Sequence, residues 1–86
     1  MQTIYHYLTQ NNETINSYDL DNDYFLYIEG LNELGCSAEN INEIDHILVE
    51  IIDSSTSDFV DSFTTKRTST LEETIKFAKT LFKEQQ

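Results

Sequence analysis

Carboxylate side chains recur at helical spacing through the middle of the chain, and their chemistry is recognition of positive charge. If residues 38–53 form a helix, one row of side chains lies opposite an apolar stripe, with neighbours about 5–6 Å apart. That row consists of Glu39, Glu43, His46, Glu50 and Asp53. Phosphates along a nucleic-acid strand are spaced on a similar scale, and proteins bind them through Lys and Arg. The row therefore predicts a surface that binds a cationic partner.

The distribution of charge along the chain supports this interpretation. Every Lys and Arg lies after position 65, so the segment 1–65 carries 13 Asp or Glu and a net charge of −13. The segment 66–86 carries five Lys or Arg against three Glu, a net charge of +2. An ordinary solvated helix face would contain Lys as well. Such a field repels nucleic acids and anionic membranes and attracts a cationic surface.

A second acidic segment, DLDND, lies at residues 19–23. Its alternating Asp residues resemble the opening of a calcium-binding loop. Tyr24 stands where such a loop needs its sharp-turn glycine, and Gly30 stands where it needs its bidentate Glu. Helix capping explains the segment better, and no metal or other cofactor is predicted. We expect five acids to flank the central row: Asp19, Asp21, Asp23, Glu29 and Glu33.

No catalytic group stands out in the sequence. Cys36 is the single cysteine, which excludes an internal disulfide and a cysteine-based zinc site. Cys36 and His46 would make a nucleophile and a base, but no cationic side chain near Cys36 activates the thiol. We expect a partly buried structural cysteine instead. With Gly30 and Gly35 as the only glycines, no phosphate-binding glycine loop is possible. The protein is predicted not to be an enzyme.

The N-terminal half offers competing secondary-structure patterns. Residues 3–9 are rich in β-branched and aromatic types and predict a strand, and residues 13–18 predict its hairpin partner. Residues 22–34 predict a helix with Tyr24 and Tyr27 on its apolar face. The alternative for this last segment is a strand through Tyr24 to Ile28, because YFLYI has high β-propensity.

In the second half of the chain, the predicted secondary structure becomes less ambiguous towards the C-terminus. The helix predicted at 38–53 competes with a strand in HILVEII, where β-branched residues alternate. Residues 53–58 predict a loop and residues 59–67 a strand. Ser69 and Glu72 form a capping-box pattern at the start of a C-terminal helix.

These elements predict one small acidic α+β domain over residues 1–86. It would contain about three helices and a short antiparallel sheet of two or three strands. Hydrophobic residues make up 38% of the chain, enough for one modest core. The sequence shows neither a signal-peptide pattern nor a long apolar run, so a cytoplasmic protein is expected, in the host cytoplasm if a phage encodes it.

Two functional hypotheses follow from the charge. The first is a non-enzymatic inhibitor or modulator that binds the basic groove of a nuclease or other nucleic-acid-binding protein, in its sharpest form as a DNA mimic. In size and charge, the chain resembles the small acidic anti-defence proteins of phages and mobile elements, which block restriction or CRISPR effectors. The second is an acidic interaction module, such as an immunity protein or regulatory subunit, whose basic partner does not bind nucleic acid. Neither involves direct contact with nucleic acid or membrane.

Overall fold

The computed structural model describes residues 1–84, and their side chains as far as Leu81. Along the chain, a first helix is followed by four strands and then by a second helix. A short 3-10 turn at Ile41–Glu43 precedes the third strand. The helices are α1 (Ile4–Thr9) and α2 (Leu71–Glu84). The strands are β1 (Ile15–Asp19), β2 (Tyr24–Leu31), β3 (His46–Asp53) and β4 (Phe59–Lys66).

The strands form one antiparallel sheet in the order β1-β2-β3-β4. Each strand pairs with its neighbour in sequence, so every connection is a hairpin or a loop at the end of the sheet. The β3–β4 register shifts between Ile51 and Ile52, which marks a bulge. At the centre of the sheet, Leu26 pairs with Ile51 and Ile28 with Val49.

Both helices pack on one face of this sheet. Side chains on that face of β2 and β3 are fully buried, and they form one cluster with Ile4 and Leu8 of α1 and Ala78 of α2. The strand members of this cluster are Leu26, Ile28, Ile47, Val49 and Ile51. Because successive strand residues point to opposite faces, their neighbours in sequence lie on the other side of the sheet.

The number of helices and strands predicted from the sequence is wrong. The structure has two helices and four strands within residues 1–84, whereas about three helices and two or three strands were expected. Residues 22–34 contain strand β2, and residues 38–53 contain a loop, the 3-10 turn and strand β3. In both segments the competing strand interpretation is the correct one, because β2 and β3 pair with each other along their whole length.

The N-terminal prediction fails in the opposite direction, since residues 4–9 form a helix rather than a strand. The Thr3 hydroxyl accepts a hydrogen bond from the His6 N–H and caps the helix. Ile4 and Leu8, one helical turn apart, are fully buried. Strand β1 therefore pairs with β2 rather than with residues 3–9. Two other predictions are confirmed: the strand from residue 59 and the C-terminal helix.

The two ends of the fold are joined by backbone and side-chain contacts. The Ile4 N–H donates to the Ser69 carbonyl, and the Leu71 N–H donates to the Gln2 carbonyl. The Arg67 guanidinium lies 4.2 Å from the centre of the Tyr5 ring and donates to the Ile44 carbonyl at 2.8 Å. Both the cation–π contact and the charged hydrogen bond stabilise the packing of α1 against the rest of the domain.

Gly30 is required by close packing rather than by backbone conformation. A Cβ atom at this position would lie 2.6 Å from both Cδ1 and Cγ1 of Ile44, which is buried. We expect Gly30→Ala to lower the free energy of unfolding by about 1–3 kcal/mol, measured by urea denaturation.

The same measurement on Ile44→Ala and on the double variant tests the cause. Because Ile44→Ala removes both clashing atoms, the double variant should lose less stability than the sum of the two single variants. Additive losses would show that contact with Ile44 is not the reason for glycine at position 30.

Candidate protein-binding surface

The face of the sheet opposite the helices carries the candidate site, and we call it the open face. It is formed by the strand residues that alternate with the core positions, and its central members are Phe25, Tyr27, Glu29, Leu48, Glu50 and Ile52. None of these side chains belongs to the hydrophobic cluster or packs against it. No helix within residues 1–84 covers this face, so aromatic, aliphatic and acidic side chains share a half-exposed surface.

Tyr27 and two glutamates occupy the centre of the open face. Tyr27 pairs directly with Glu50 across β2 and β3, whereas Glu29 pairs with Leu48. Glu29 and Glu50 are therefore diagonal neighbours, about 7–8 Å apart at the backbone. Partial burial, followed by the negative charges of Glu29 and Glu50, raises the pKa of Tyr27 above its ordinary value. The phenol, already protonated at neutral pH, is thereby made still harder to ionise.

One end of the sheet gathers five aspartates, which we call the acidic end: Asp19, Asp21, Asp23, Asp53 and Asp58. The β1–β2 and β3–β4 turns lie side by side there, since the Ser54 N–H donates to the Asp23 carbonyl at 2.8 Å. The Asp21 carboxylate accepts from the N–H groups of Asp23 and Tyr24. It therefore stabilises a hairpin turn, not the helix start expected from the sequence.

The opposite end carries the remaining predicted acids in the segment between β2 and β3. Glu39 and Glu43 are exposed, and the Glu39 N–H donates to the Glu43 carboxylate at 2.9 Å. Glu33 lines a recess with Glu43, Asp45 and Arg67. Acidic groups thus lie at both ends of the sheet and at the centre of its open face.

The single acidic row predicted for a helix at 38–53 does not exist. Glu39 and Glu43 lie in a loop, Glu50 lies on the open face, and Asp53 ends β3 on the alternate side of the strand. The His46 Nδ1 atom lies 3.0 Å from the Asp45 carboxylate, within hydrogen-bond distance. The structure brings the predicted acids together in three groups instead: the acidic end, the Glu29–Glu50 pair, and the β2–β3 segment.

Within the described residues, none of the nine predicted site acids forms an ion pair with Lys or Arg. Lys76 pairs with Glu72 on α2, and Arg67 contacts Tyr5 and a backbone carbonyl.

Other chemistry receives no support from the geometry. Among the residues described, no group of three or more His, Cys, Asp or Glu side chains is arranged to hold a metal ion. Cys36 is exposed rather than partly buried, in a turn closed by the Asn32 side chain. No helix within the described residues is long and apolar enough to cross a membrane. No family model, curated protein or solved structure matches this chain.

The apolar members of the open face were missed at the sequence level. Tyr27 was assigned to the buried stripe of a helix, and Phe25 and Ile52 were not considered as surface residues. The alternation in YFLYIE indicates a strand with two different faces. One face carries Tyr24, Leu26 and Ile28, and the other carries Phe25, Tyr27 and Glu29. Asp58 of the acidic end is not among the predicted site residues, although it is the last residue of the loop predicted at 53–58.

Asp53 provides a test of the acidic end. The Ser55 hydroxyl and the N–H groups of Ser55 and Thr56 donate to its carboxylate and lower its pKa below 3.8. The corresponding stability is therefore present above pH 3.8 and is lost as pH falls through the folded-state value. We expect Ser55→Ala to raise the Asp53 pKa, measured by carbon-detected NMR titration of the carboxyl group.

Ser54→Ala is the matched control, because Ser54 contacts this turn through its backbone N–H. It should leave the Asp53 titration unchanged. An equal shift in both variants would contradict the proposed role of the Ser55 hydroxyl.

Proposed function

We propose that this protein is a non-enzymatic inhibitor or modulator that places its open face against the basic, nucleic-acid-binding groove of a partner protein. The observation that carries the proposal is the Glu29–Glu50 pair around Tyr27, which has no Lys or Arg partner within the described residues. In the sharpest form of the proposal, the protein competes with duplex DNA as a mimic, in the cytoplasm of the cell whose nuclease it blocks.

The charge of the chain supports a cationic partner and a fast association with it. The net charge of −13 over the segment 1–65 attracts a basic groove from beyond contact distance and accelerates association. The acidic end and the β2–β3 segment extend the charge along the length of the sheet, so contact is made over a long surface. Since the partner's lysines and arginines otherwise hold phosphates, the acids occupy positions that nucleic acid would take.

The same face supports a second candidate function, an interaction module for a basic protein that does not bind nucleic acid. A pure phosphate mimic has no need of Phe25, Tyr27 and Ile52 beside its carboxylates. Tyrosine and other aromatic residues are enriched at the centres of protein–protein interfaces, where they supply buried contact area. An immunity protein or regulatory subunit would use this mixture of apolar and acidic side chains.

Charge reversal at the centre of the open face tests both candidates. A partner is captured from source-cell lysate at low and moderate salt, identified by mass spectrometry and purified. We expect Glu29→Lys with Glu50→Lys to weaken its binding about tenfold or more, measured by calorimetry, because like charges then face each other. Glu13→Lys with Glu73→Lys is the control of equal charge change, since both residues are exposed outside the three acidic groups.

Competition with labelled duplex, followed by fluorescence anisotropy, separates the two candidates. Displacement of the duplex supports the inhibitor of a nucleic-acid-binding groove, and a partner with no affinity for duplex supports the interaction module. Equal binding by the open-face and control variants would refute the docking surface in both.

A further inference from the structure

Strand β4 leaves the sheet with an open edge. It is the last strand in the order β1-β2-β3-β4, and it spans Phe59–Lys66. Its inner side pairs with β3, whereas no strand within the described residues pairs with its outer side. The N–H and C=O groups that point outwards are a template for another strand.

The other edge of the sheet is protected. Strand β1 is shorter, at Ile15–Asp19, and α1 lies beside it. The Tyr7 hydroxyl donates to the Ser17 carbonyl at 2.5 Å, and the Asn16 side chain donates to the Tyr7 carbonyl at 3.2 Å. Short length and side-chain cover are ordinary ways of blocking edge pairing, and both are present at β1.

A groove with two aromatic side chains among polar ones runs beside the β4 edge on the helix-covered side. Its principal walls are Phe63 of β4 and Phe77 of α2, whose ring centres are 4.7 Å apart in an edge-to-face arrangement. Phe77 is 47% exposed although it lies in the amphipathic helix that covers the core. Glu73 lies at the same groove. Phe77 thus adds exposed aromatic surface directly beside the outer side of β4.

The identity of the occupant follows from charge and from symmetry. Two copies of this chain repel each other through surfaces formed by residues 1–58, which carry 12 Asp or Glu and no Lys or Arg. Residues 59–86, which include β4 and α2, carry five Lys or Arg against four Asp or Glu, so this side of the molecule is where a second copy meets the least repulsion. An antiparallel strand edge is also self-complementary about a two-fold axis. We propose that the protein forms a symmetric dimer in which β4 pairs with β4 of the partner subunit.

The alternation of side chains limits how the two strands can pair. Opposite residues must belong to the same face, which holds when Phe63 lies opposite Phe63 of the partner subunit. In this register Asp61 faces Thr65 and Ser62 faces Thr64, so no like charges are opposed over the regular part of the strand pair, which ends at the bulge residue Val60. The two Phe63–Phe77 pairs then meet around the two-fold axis and bury each other.

The dimer would form one continuous sheet of eight strands, four from each copy. At about 4.8 Å per strand, it would extend roughly 38 Å across the strands. Because the two-fold axis is perpendicular to the sheet, both open faces lie on the same side. The interface itself uses none of the predicted partner-binding acids. The test of the dimer is therefore independent of the test of the proposed function.

Sedimentation velocity at about 100 µM protein and about 150 mM NaCl tests the dimer. We expect a species of twice the 10.0 kDa chain mass for the natural sequence. Phe77→Glu should give a monomer, because it places a charge in the aromatic cluster beside Glu73. Leu34→Glu, which also replaces an exposed apolar residue with Glu but in a loop, should remain dimeric.

Thr64→Lys provides a second variant with little risk to folding, because Thr64 is exposed on the β4 edge. Its lysine would lie close to its own symmetry mate and to Lys66, and a monomer is expected. Circular dichroism verifies that each variant is folded. A monomeric natural protein under these conditions, or a dimer that survives both Phe77→Glu and Thr64→Lys, would overturn the proposal.

Discussion

The pairing of β2 with β3 is the constraint on which the rest of the structure depends. Its register places Leu26 against Ile51 and Ile28 against Val49, all fully buried under the two helices. A slip of one residue would turn the apolar side chains of one strand outwards and bring its glutamate, Glu29 or Glu50, into the core. Burying unpaired carboxylates is far more costly than burying aliphatic side chains, so the core fixes the register. The acidic open face is a direct consequence of that choice, because every second residue must point away from the core.

The described contacts of Arg67 and Lys76 contribute to the fold and involve none of the three acidic groups. Arg67 is held between the Tyr5 ring and the Ile44 carbonyl, and Lys76 pairs within α2. Mutual repulsion among the acids opposes folding, and the small core must offset it. Retention of such a surface is easiest to understand if a cationic partner relieves the repulsion on binding. The charge that destabilises the free protein would then favour the complex.

The acidic open face and the β4 edge are separate surfaces, for which we propose different partners. On these proposals, the open face would repel a second copy of the chain and attract a basic protein, whereas the β4 edge lies beside the least acidic part of the molecule. A dimer through β4 would therefore leave both open faces accessible on one side of a wider sheet. If the partner's groove were long enough for both, contact through two copies would increase the apparent affinity without any new type of contact.

The sequence alone determined the segregation of charge, the loop after residue 53, the strand from Phe59 and the C-terminal helix. In these segments composition, turn residues and spacing all favour one structure. The tertiary structure decided the rest. Between Ile41 and Ile52 the isoleucines fit both a helical and an alternating pattern, and only pairing with β2 selects the strand. Residues 4–9 favour a strand by propensity, yet burial of Ile4 and Leu8 and contact with Ser69 select a helix. The acids were therefore identified by sequence, but their grouping was set by strand pairing, because local preference cannot specify partners distant along the chain.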